Sequence, residues 1–446
     1  MNAPHRRLAC PGLADPMETG DGFLARLVPS GQTIALDAFA SLCAAARTHG
    51  NGIIEVTARG SIQVRGLRPG TISAFAADVG ALDIATDGVP MTVDPLAGLD
   101  GNAATDACEI AHALRTALAQ APFTVQLGPK VSVVIDGGTT LHLDGLAADI
   151  RLRTESTGQH VHVMLGGDAI HATSVGSVPR AMATDVTLRA LEAIARHGRK
   201  ARARDLIGPG GLEAFRAALG PSARETPPPM ARPPSEPIGV HALRGGSVAL
   251  GIGVAFGHTD ANTLEKLIDA ARTSGAKGLR TAHRALLVIG LSAQAASNLA
   301  AVAEQLGFVT RASDPRRHIA TCAGAPICSA AQIPTRALAP TIAKAAPDLL
   351  DGSFVLHLSG CAKGCAHHAD STLTIVGKSG GCCVVVDGAA SHMPMASMAV
   401  DTLPTRLAAL AHKVAQTRRQ DESTAKALAR LGKTRIAAAL SEAGHG

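Results

Sequence analysis

In the first eighty residues, segments whose apolar residues have strand spacing alternate with segments whose apolar residues have helical spacing. Apolar residues recur at helical spacing through Thr33–His49, and Gly50–Gly52 ends that helix. Period-two alternation predicts strands on both sides of the helix, at Phe23–Val28, Ile53–Thr57 and Ser61–Val64. This order of strand, helix, strand and strand is a ferredoxin-like half, to which Thr71–Asp78 adds a second helix.

The same pattern returns in the second half of the chain. Val248–Leu291 aligns with Gly22–Leu67, and TARGSIQVRGL in the first copy becomes TAHRALLVIGL in the second. The polar residues Arg26, Arg59, Gln63 and Arg65 of the first copy become Ile252, His283, Leu287 and Ile289 in the second. We therefore expect an internal duplication in which one copy keeps an anion-binding turn and the other serves as scaffold.

The segments between and after the copies predict a larger α/β unit in each half. Helical spacing covers Ala107–Leu118, Thr187–Gly198, Leu212–Ala218, Leu403–Gln416 and Thr424–Ala439, with alternating strands between them. The proline-rich stretch ETPPPMARPPSEP is expected to be a linker with polyproline II character.

The expected fold is α+β, with two halves related by a pseudo-twofold. Each half is a ferredoxin-like unit followed by a larger α/β unit. The expected boundaries are residues 1–85 and 90–224 for the first half, 225–239 for the linker, and 240–310 and 315–446 for the second half.

Composition excludes some classes of function. The 446 residues carry a net charge of +6, but aromatic residues make up 2% and Trp and Tyr are absent, so few side chains could stack on nucleic acid bases. The longest uncharged run, Ala285–Ala303, contains polar residues and is not a membrane span. The N-terminus shows no apolar signal segment, so a cytoplasmic location is expected.

Two cysteine pairs carry the strongest chemical signal. Cys322 and Cys328 are spaced C-x5-C, and Cys361 and Cys365 are spaced C-x3-C after a gap of 32 residues. The second pair lies between two predicted strands, Ser353–Ser359 and Ser371–Gly377. Four soft thiolates presented by two loops suit one iron–sulfur cluster.

Three other interpretations of these cysteines are weaker. A structural zinc site usually contains a C-x2-C knuckle, which is absent here. Disulfides need an oxidising compartment, and four unrelated core cysteines would not all lie beside Gly or Pro in loops. Among the remaining cysteines, the patterns place Cys43, Cys108, Cys382 and Cys383 in the core, and Cys10 lies in an N-terminal loop.

The cysteine spacing, the SGC-x3-C motif and the strand that ends in VG resemble the cluster-binding half of the sulfite and nitrite reductase superfamily. The resemblance covers nearly the whole chain. It implies a [4Fe-4S] cluster on Cys322, Cys328, Cys361 and Cys365, with Cys365 at the position that bridges to a tetrapyrrole iron. Siroheme is expected only if the protein is a reductase.

Within that superfamily, basic residues of the first half bind the carboxylates of a tetrapyrrole. The motif R-hydrophobic-P-x-G is met by Arg26, with one extra residue before the proline, and the motif T-x-R-x-x-x-Q by Thr57, Arg59 and Gln63. A P-x-K-F-K pattern is met only in part, by Pro129 and Lys130, because Ser132 replaces its second lysine. That loss argues against reduction of an oxyanion, although each basic residue could also be a solvated surface charge.

The N-terminal ACPGLADPMETGDGFLARL and the PLAGLDG segment resemble the precorrin-3B-forming branch, which works in aerobic cobalamin biosynthesis. Asp94 replaces the serine expected before PLAG. The resemblance implies that the tetrapyrrole precorrin-3A is hydroxylated with O2 at a meso-carbon and an acetate closes into a lactone. It further implies an external electron donor and a mononuclear non-haem iron, for which His367, His368 and Asp370 are candidate ligands. His367 and Lys130 are the candidate catalytic residues, although His367 could equally bind substrate or loop backbone.

Two other hypotheses remain at this point. A siroheme-dependent sulfite or nitrite reductase would share the fold and the cluster, but Ser132 and the short chain disfavour it. A non-enzymatic redox sensor or electron carrier would need the cluster but would have no use for convergent arginines.

Overall fold

The protein is described by a computed structural model that covers residues 11–13, 15–208, 211–220, 223–367 and 369–441. The chain forms two compact units. Unit 1 is built mainly from residues 24–252 and 260–306, and unit 2 from residues 307–441 together with 18–23 and 253–259. In this described part of the chain, no helix has the length and the apolar run that crossing a membrane requires.

The first ferredoxin-like copy has the predicted order of elements. Its strands are β1 (Met17–Thr19), β2 (Gly22–Leu27), β3 (Ile53–Val56) and β4 (Ile62–Leu67), and its helices are α1 (Leu36–His49) and α2 (Ile72–Gly80). The strands lie side by side in the order β1-β2-β4-β3. Helix α1 buries its apolar face, including Phe39, Leu42 and Ala46, and Gly50 ends it by donating its N–H to the Ala46 carbonyl.

The first α/β unit follows in the chain. Its strands are β5 (Met91–Val93), β6 (Val133–Asp136), β7 (Ala148–Thr154), β8 (His160–Gly167) and β9 (Thr173–Pro179). Its helices are α3 (Ala107–Ala119), α4 (Ala183–Ala195), α5 (Ala203–Leu206) and α6 (Gly211–Leu219). The sheet order is β5-β6-β7-β8-β9, parallel between the first three strands and antiparallel between the rest. Apolar residues of the strands and helices form one core, which explains the near-continuous hydrophobic strands.

The proline-rich segment lies against this unit. Arg232 donates two hydrogen bonds from its side chain to Asp144, at 2.7 and 3.1 Å, and another to Asp136. Arg153 donates to the Met230 carbonyl at 2.7 Å. The sequence predicted a linker, and these bonds fix the segment along unit 1, because Arg232 neutralises two buried carboxylates.

The second ferredoxin-like copy repeats the topology of the first. Its strands are β10 (Gly239–Ala242), β11 (Val248–Gly253), β13 (Gly278–Ala282) and β14 (Ala285–Leu291), and its helices are α7 (Ala261–Thr273) and α8 (Ala293–Gln305). The short strand β12 (His258–Asp260) follows β11 in the chain but belongs to the sheet of the first copy, beside β3. The sheet order of the second copy, β10-β11-β14-β13, matches β1-β2-β4-β3 element for element. The expected duplication is therefore present in the backbone.

The second α/β unit repeats the first in the same way. Its strands are β15 (Ile319–Thr321), β16 (Leu356–Ser359), β17 (Ser371–Lys378), β18 (Gly381–Gly388) and β19 (Ala396–Met398). Its helices are α9 (Thr335–Ala345), α10 (Leu403–Thr417), α11 (Thr424–Leu431) and α12 (Lys433–Ser441). The order β15-β16-β17-β18-β19 shows the same switch from parallel to antiparallel pairing after the third strand.

One predicted helix is wrong. The single helix expected over Thr424–Ala439 is two helices, α11 and α12, separated at Gly432. Gly432 has a φ of +81°, in the left-handed region that ends a helix, and its N–H donates to the Leu428 carbonyl. The apolar spacing continues across the break, so periodicity alone did not reveal it.

Candidate functional sites

The four predicted cluster cysteines lie on two loops of unit 2 that leave the same edge of one sheet. Cys322 directly follows β15, and Cys361 follows β16 by two residues. Strands β15, β16 and β17 are parallel neighbours, so their carboxyl ends share an edge. The strand order alone therefore makes the loops at residues 322–334 and 360–370 adjacent.

Backbone contacts join the two loops. The Gly360 N–H donates to the Cys322 Sγ at 3.1 Å, and the Gln332 N–H donates to the Gly360 carbonyl at 2.7 Å. A Cβ on Gly360 would lie 2.7 Å from the Ala331 Cβ and 3.3 Å from the Cys322 Sγ. Glycine is required here because the loops approach more closely than a side chain allows.

The other three cysteines influence the pKa of the Cys365 thiol, which indicates that the four thiols lie near one another. Burial raises the pKa of Cys365, and Cys322, Cys361 and Cys328 raise it further, while Lys363 lowers it. The electrostatic effect of one thiol on the pKa of another is appreciable only at short range. None of the four cysteines forms a disulfide with another described residue. Four neighbouring thiols with a backbone N–H directed at one sulfur form a donor set that fits an iron–sulfur cluster.

The remaining described cysteines belong to the core, as predicted. Cys43, Cys108, Cys382 and Cys383 are buried. Burial raises the pKa of Cys43 and of Cys108 to about 12, and that of Cys382 to about 11, so these groups stay as neutral thiols. Cys10 lies outside the described residues.

The structure describes two of the three candidate iron ligands near the cluster loop. The ring of His367 packs edge-on against the buried His357 of β16, with 5.7 Å between the ring centroids. Asp370 lies 3.7 Å from the His392 Nδ1, and His368 is outside the described residues. Among the residues that are described, no three His, Cys, Asp or Glu side chains are arranged to hold a single metal ion. A cubane cluster differs because each of its cysteines binds a different iron.

The predicted anion-binding residues of unit 1 form a cross-strand network. Arg26 of β2 donates to the Gln63 amide oxygen at 2.6 and 2.9 Å, with the amide assigned in that orientation, and the Gln63 amide nitrogen donates to Glu55 at 2.8 Å. Arg65 lies 3.5 Å from the same Glu55 carboxylate. Residues Glu55 and Gln63 are direct partners in the β3–β4 ladder. Strand pairing therefore sets the direction of Arg26, and Glu55 is a member of the site that the sequence motifs did not include.

The turn that carries Arg59 is held by Thr57. The Thr57 Oγ1 accepts from the backbone N–H groups of Arg59 and Ser61, at 3.3 and 3.1 Å. This bonding gives a physical role to the threonine of the T-x-R motif. Arg59 in turn donates to the Ala147 carbonyl at 2.6 Å, so its guanidinium lies at the start of β7.

Lys130 lies in the turn that leads to β6 and is exposed. Ser132, where the superfamily pattern has a second lysine, is buried, and its N–H donates to Asp149 at 3.0 Å. Since β6 and β7 are parallel neighbours, Lys130 and the Ala147 partner of Arg59 are at the same end of these strands. The structure thus brings Arg59 and Lys130 to one sheet edge, and Arg26 and Gln63 to one face of a neighbouring sheet.

Comparison with known proteins agrees with this architecture. Residues 15–82 match the family model described as the nitrite/sulfite reductase ferredoxin-like half domain. A curated protein from Sinorhizobium sp named precorrin-3B synthase is 39% identical to the chain over 444 residues, which cover 99% of this chain and 96% of the relative. The solved structure of Mycobacterium tuberculosis NirA protein superposes with a TM-score of 0.74 over 93% of this chain and 84% of that one, at 18% identity. The expected duplicated α+β fold is confirmed.

Proposed function

Because the chain belongs to the precorrin-3B synthase family, we propose that it hydroxylates precorrin-3A with O2 and closes an acetate side chain into a lactone, giving precorrin-3B. The observation that carries the proposal is the match to the named relative along almost the entire chain. The reaction class, an oxygenase acting on a tetrapyrrole, and the external electron donor are parts of the proposal.

The substrate would be held by its carboxylates. Arg26 and Arg59 are the groups we assign to this task, with Gln63 orienting Arg26 and Lys130 adding positive charge. A guanidinium suits the role because its planar fork binds a carboxylate through two hydrogen bonds and stays charged when partly buried. The Glu55 carboxylate fixes the amide of Gln63, so Gln63 presents its oxygen to Arg26 and leaves the outer N–H groups of Arg26 for substrate.

Cys322, Cys328, Cys361 and Cys365 would hold the [4Fe-4S] cluster. When bound, such a cluster supplies storage and transfer of single electrons. The Gly360 N–H lowers the negative charge density on the Cys322 sulfur by its hydrogen bond, which is one way in which a protein adjusts a cluster's reduction potential.

The described residues form no site for a single iron, and His368, one of its three candidate ligands, lies outside them. His367 stays a candidate for a proton-transfer or substrate-orienting role. Its ring is held by the packing against His357, and Gly364 gives the loop room to turn, with a φ of +62°. The role is testable by a His367→Gln variant, which keeps one hydrogen-bonding group but removes proton transfer near neutral pH.

The experiment is turnover of precorrin-3A by anaerobically purified, reduced protein to which O2 is then added. The proposal expects a hydroxylated lactone that carries one oxygen atom from labelled O2. Formation of no oxidised tetrapyrrole by protein with a full complement of iron and sulfide would overturn it. Tightly bound siroheme and reduction of sulfite or nitrite would establish the reductase alternative instead.

A further inference from the structure

The turn between β13 and β14 holds an arginine in a conformation that favours glycine. Arg284 has a φ of +49°, in the left-handed region. In the alignment of the two copies, TARGSIQVRGL against TAHRALLVIGL, Arg284 takes the position of Gly60, whose φ is +72°. Side chains other than glycine pay a conformational penalty here, and such strain is concentrated where a residue has a function.

This turn touches the Arg59 turn of the first copy, within unit 1. The Arg284 N–H donates to the Thr57 carbonyl at 3.1 Å, and the His283 Nδ1 lies 3.0 Å from the Ala58 carbonyl. A Cβ on Gly60 would lie 3.2 Å from the Thr281 Oγ1. The two equivalent turns therefore pack against each other, and they bring Arg59, His283 and Arg284 onto neighbouring backbone positions.

Arg284 has no anion of its own in the described part of the chain. No ion pair or side-chain hydrogen bond engages its guanidinium there, whereas Arg65 has Glu55 and Arg26 has Gln63. The side chain is partly buried, and burial lowers the pKa of Arg284 with no carboxylate acting in the opposite direction. A partly buried guanidinium without an internal carboxylate is stabilised when an external anion arrives.

We infer that Arg284 binds a carboxylate of the tetrapyrrole, beside the carboxylate bound by Arg59. The inference rests on the proposed function, because that function supplies the polycarboxylate ligand. It also revises the expectation that the second copy is scaffold alone. That copy has lost the counterparts of Arg26, Gln63 and Arg65, whose positions Ile252, Leu287 and Ile289 are buried. Its arginine has moved by one position along the turn.

The test is equilibrium binding of uroporphyrin III, a stable tetrapyrrole rich in carboxylates, to the full-length protein, with its methyl ester as the uncharged control ligand. Arg284→Gln is expected to raise the Kd for uroporphyrin at least about tenfold and to leave ester binding unchanged. Arg284→Gly is expected to weaken uroporphyrin binding to the same degree without lowering the Tm, because glycine accepts the left-handed conformation freely. Arg196→Gln, which removes an exposed arginine just after the end of α4, is the matched control and is expected to bind like the wild type.

Three outcomes would overturn the inference. They are an unchanged Kd in Arg284→Gln, a loss of affinity for the ester equal to that for the acid, and no binding of uroporphyrin by the wild type. Failure of the proposed function gives a different result, since wild-type protein would then bind uroporphyrin in an Arg284-dependent way but would not convert precorrin-3A.

Discussion

Each of the two α/β units has an equivalent pair of loops after its first two strands, but the side chains on these loops differ between the units. Asp94 is the first residue after β5, and Cys322 is the first after β15. Gly137 directly follows β6, and Gly360 directly follows β16. In each unit the carbonyl of this glycine accepts a backbone N–H from the other loop, from Thr105 at 3.2 Å in the first unit and from Gln332 in the second. The backbone frame is therefore equivalent, and only the side chains differ.

At the first pair of loops, an arginine of the proline-rich segment neutralises two buried carboxylates, whereas no basic side chain in the described part of the chain pairs with Asp94. Asp136 and Asp144 are buried there, and Arg232 binds both carboxylates. The second pair presents four thiols that form no disulfide with one another. The loops of the first α/β unit therefore carry an internal ion-pair network, and those of the second carry a set of candidate ligands for a bound group. The duplicated fold therefore supplies a loop geometry, and the side chains on the loops determine whether the loops are structural or suited to bind a cofactor.

The largest expected effect is at the thiol loops. Cys322→Ser is expected to abolish the cluster, because a hydroxyl is a poor ligand for iron in place of a thiolate. Iron and sulfide counts on anaerobically purified protein measure the loss. Cys383→Ala, in the core of the same unit, is expected to keep the full cluster content. Equal cluster content in the Cys322 variant and the wild type would remove Cys322 from the ligand set.

The next effect tests the close approach of the two loops in unit 2. Gly360→Ala places a Cβ 2.7 Å from the Ala331 Cβ, so the loops must separate and cluster content is expected to fall to less than about half. Gly145→Ala is the matched control, since its Cβ meets nothing within 4 Å in the corresponding loop of unit 1. A fully loaded Gly360→Ala protein would mean that the contact of the loops is not needed for assembly.

In unit 1, removal of the Arg232 guanidinium should leave the buried carboxylates of Asp136 and Asp144 without a counter-charge. Arg232→Gln is expected to lower the free energy of unfolding by about 3 kcal/mol at pH 7, measured by urea denaturation. Burial raises the pKa of Asp144, but Arg232 and Arg153 outweigh it and lower the pKa to about 2. The associated stability is present above the unfolded pKa of about 4 and is lost as the pH falls toward 2, so the difference between variant and wild type should shrink on acidification.

The last of these predictions concerns Asp94, the counterpart of Cys322. Burial, and then the charge of Asp136, raise the pKa of Asp94 to about 7, although Thr139 and Gly137 act in the opposite direction. A carboxyl group whose pKa is raised by folding loses stability as the pH rises from about 4 through 7, because the native state must release a proton that the unfolded state has already released.

Asp94→Asn removes that penalty. We expect the variant to be more stable than the wild type at pH 8 and equal to it near pH 4. The free energy of unfolding measured across this pH range decides the matter. A constant difference between variant and wild type at all pH values would show that Asp94 does not titrate with folding.

The sequence allowed most of the fold to be predicted, because its signals are local or repeated. Periodicity located α1 and β2–β4, and the repeated turn and strand pattern revealed the duplication. The cysteine spacing placed the candidate ligands on loops that are indeed adjacent in the structure. What escaped prediction depends on contacts distant in sequence. Arg232 and Asp136 are 96 residues apart, and no local pattern links a proline-rich segment to a buried strand end.

The candidate substrate site was predicted in its members but not in its arrangement. Motifs named Arg26, Arg59 and Gln63, while the role of Glu55 comes from strand register, which places it opposite Gln63. Arg284 was not predicted as a site residue. The residue aligned with Arg59 is His283, and Arg284 comes one position later, so the second turn looks as if it had lost its arginine. Only the contact between the two turns shows that Arg284 lies on a backbone position next to the Arg59 turn.

The central claim is that the loops at residues 322–334 and 360–370 hold one [4Fe-4S] cluster in a protein that carries no siroheme. The most direct test is a count of iron and acid-labile sulfide per chain, with an absorption spectrum, on anaerobically purified wild-type protein. We expect about four sulfides per chain, at least as many irons and no siroheme bands. Absence of sulfide in protein never exposed to air would contradict the claim, and siroheme bands would contradict the assignment of the tetrapyrrole as substrate.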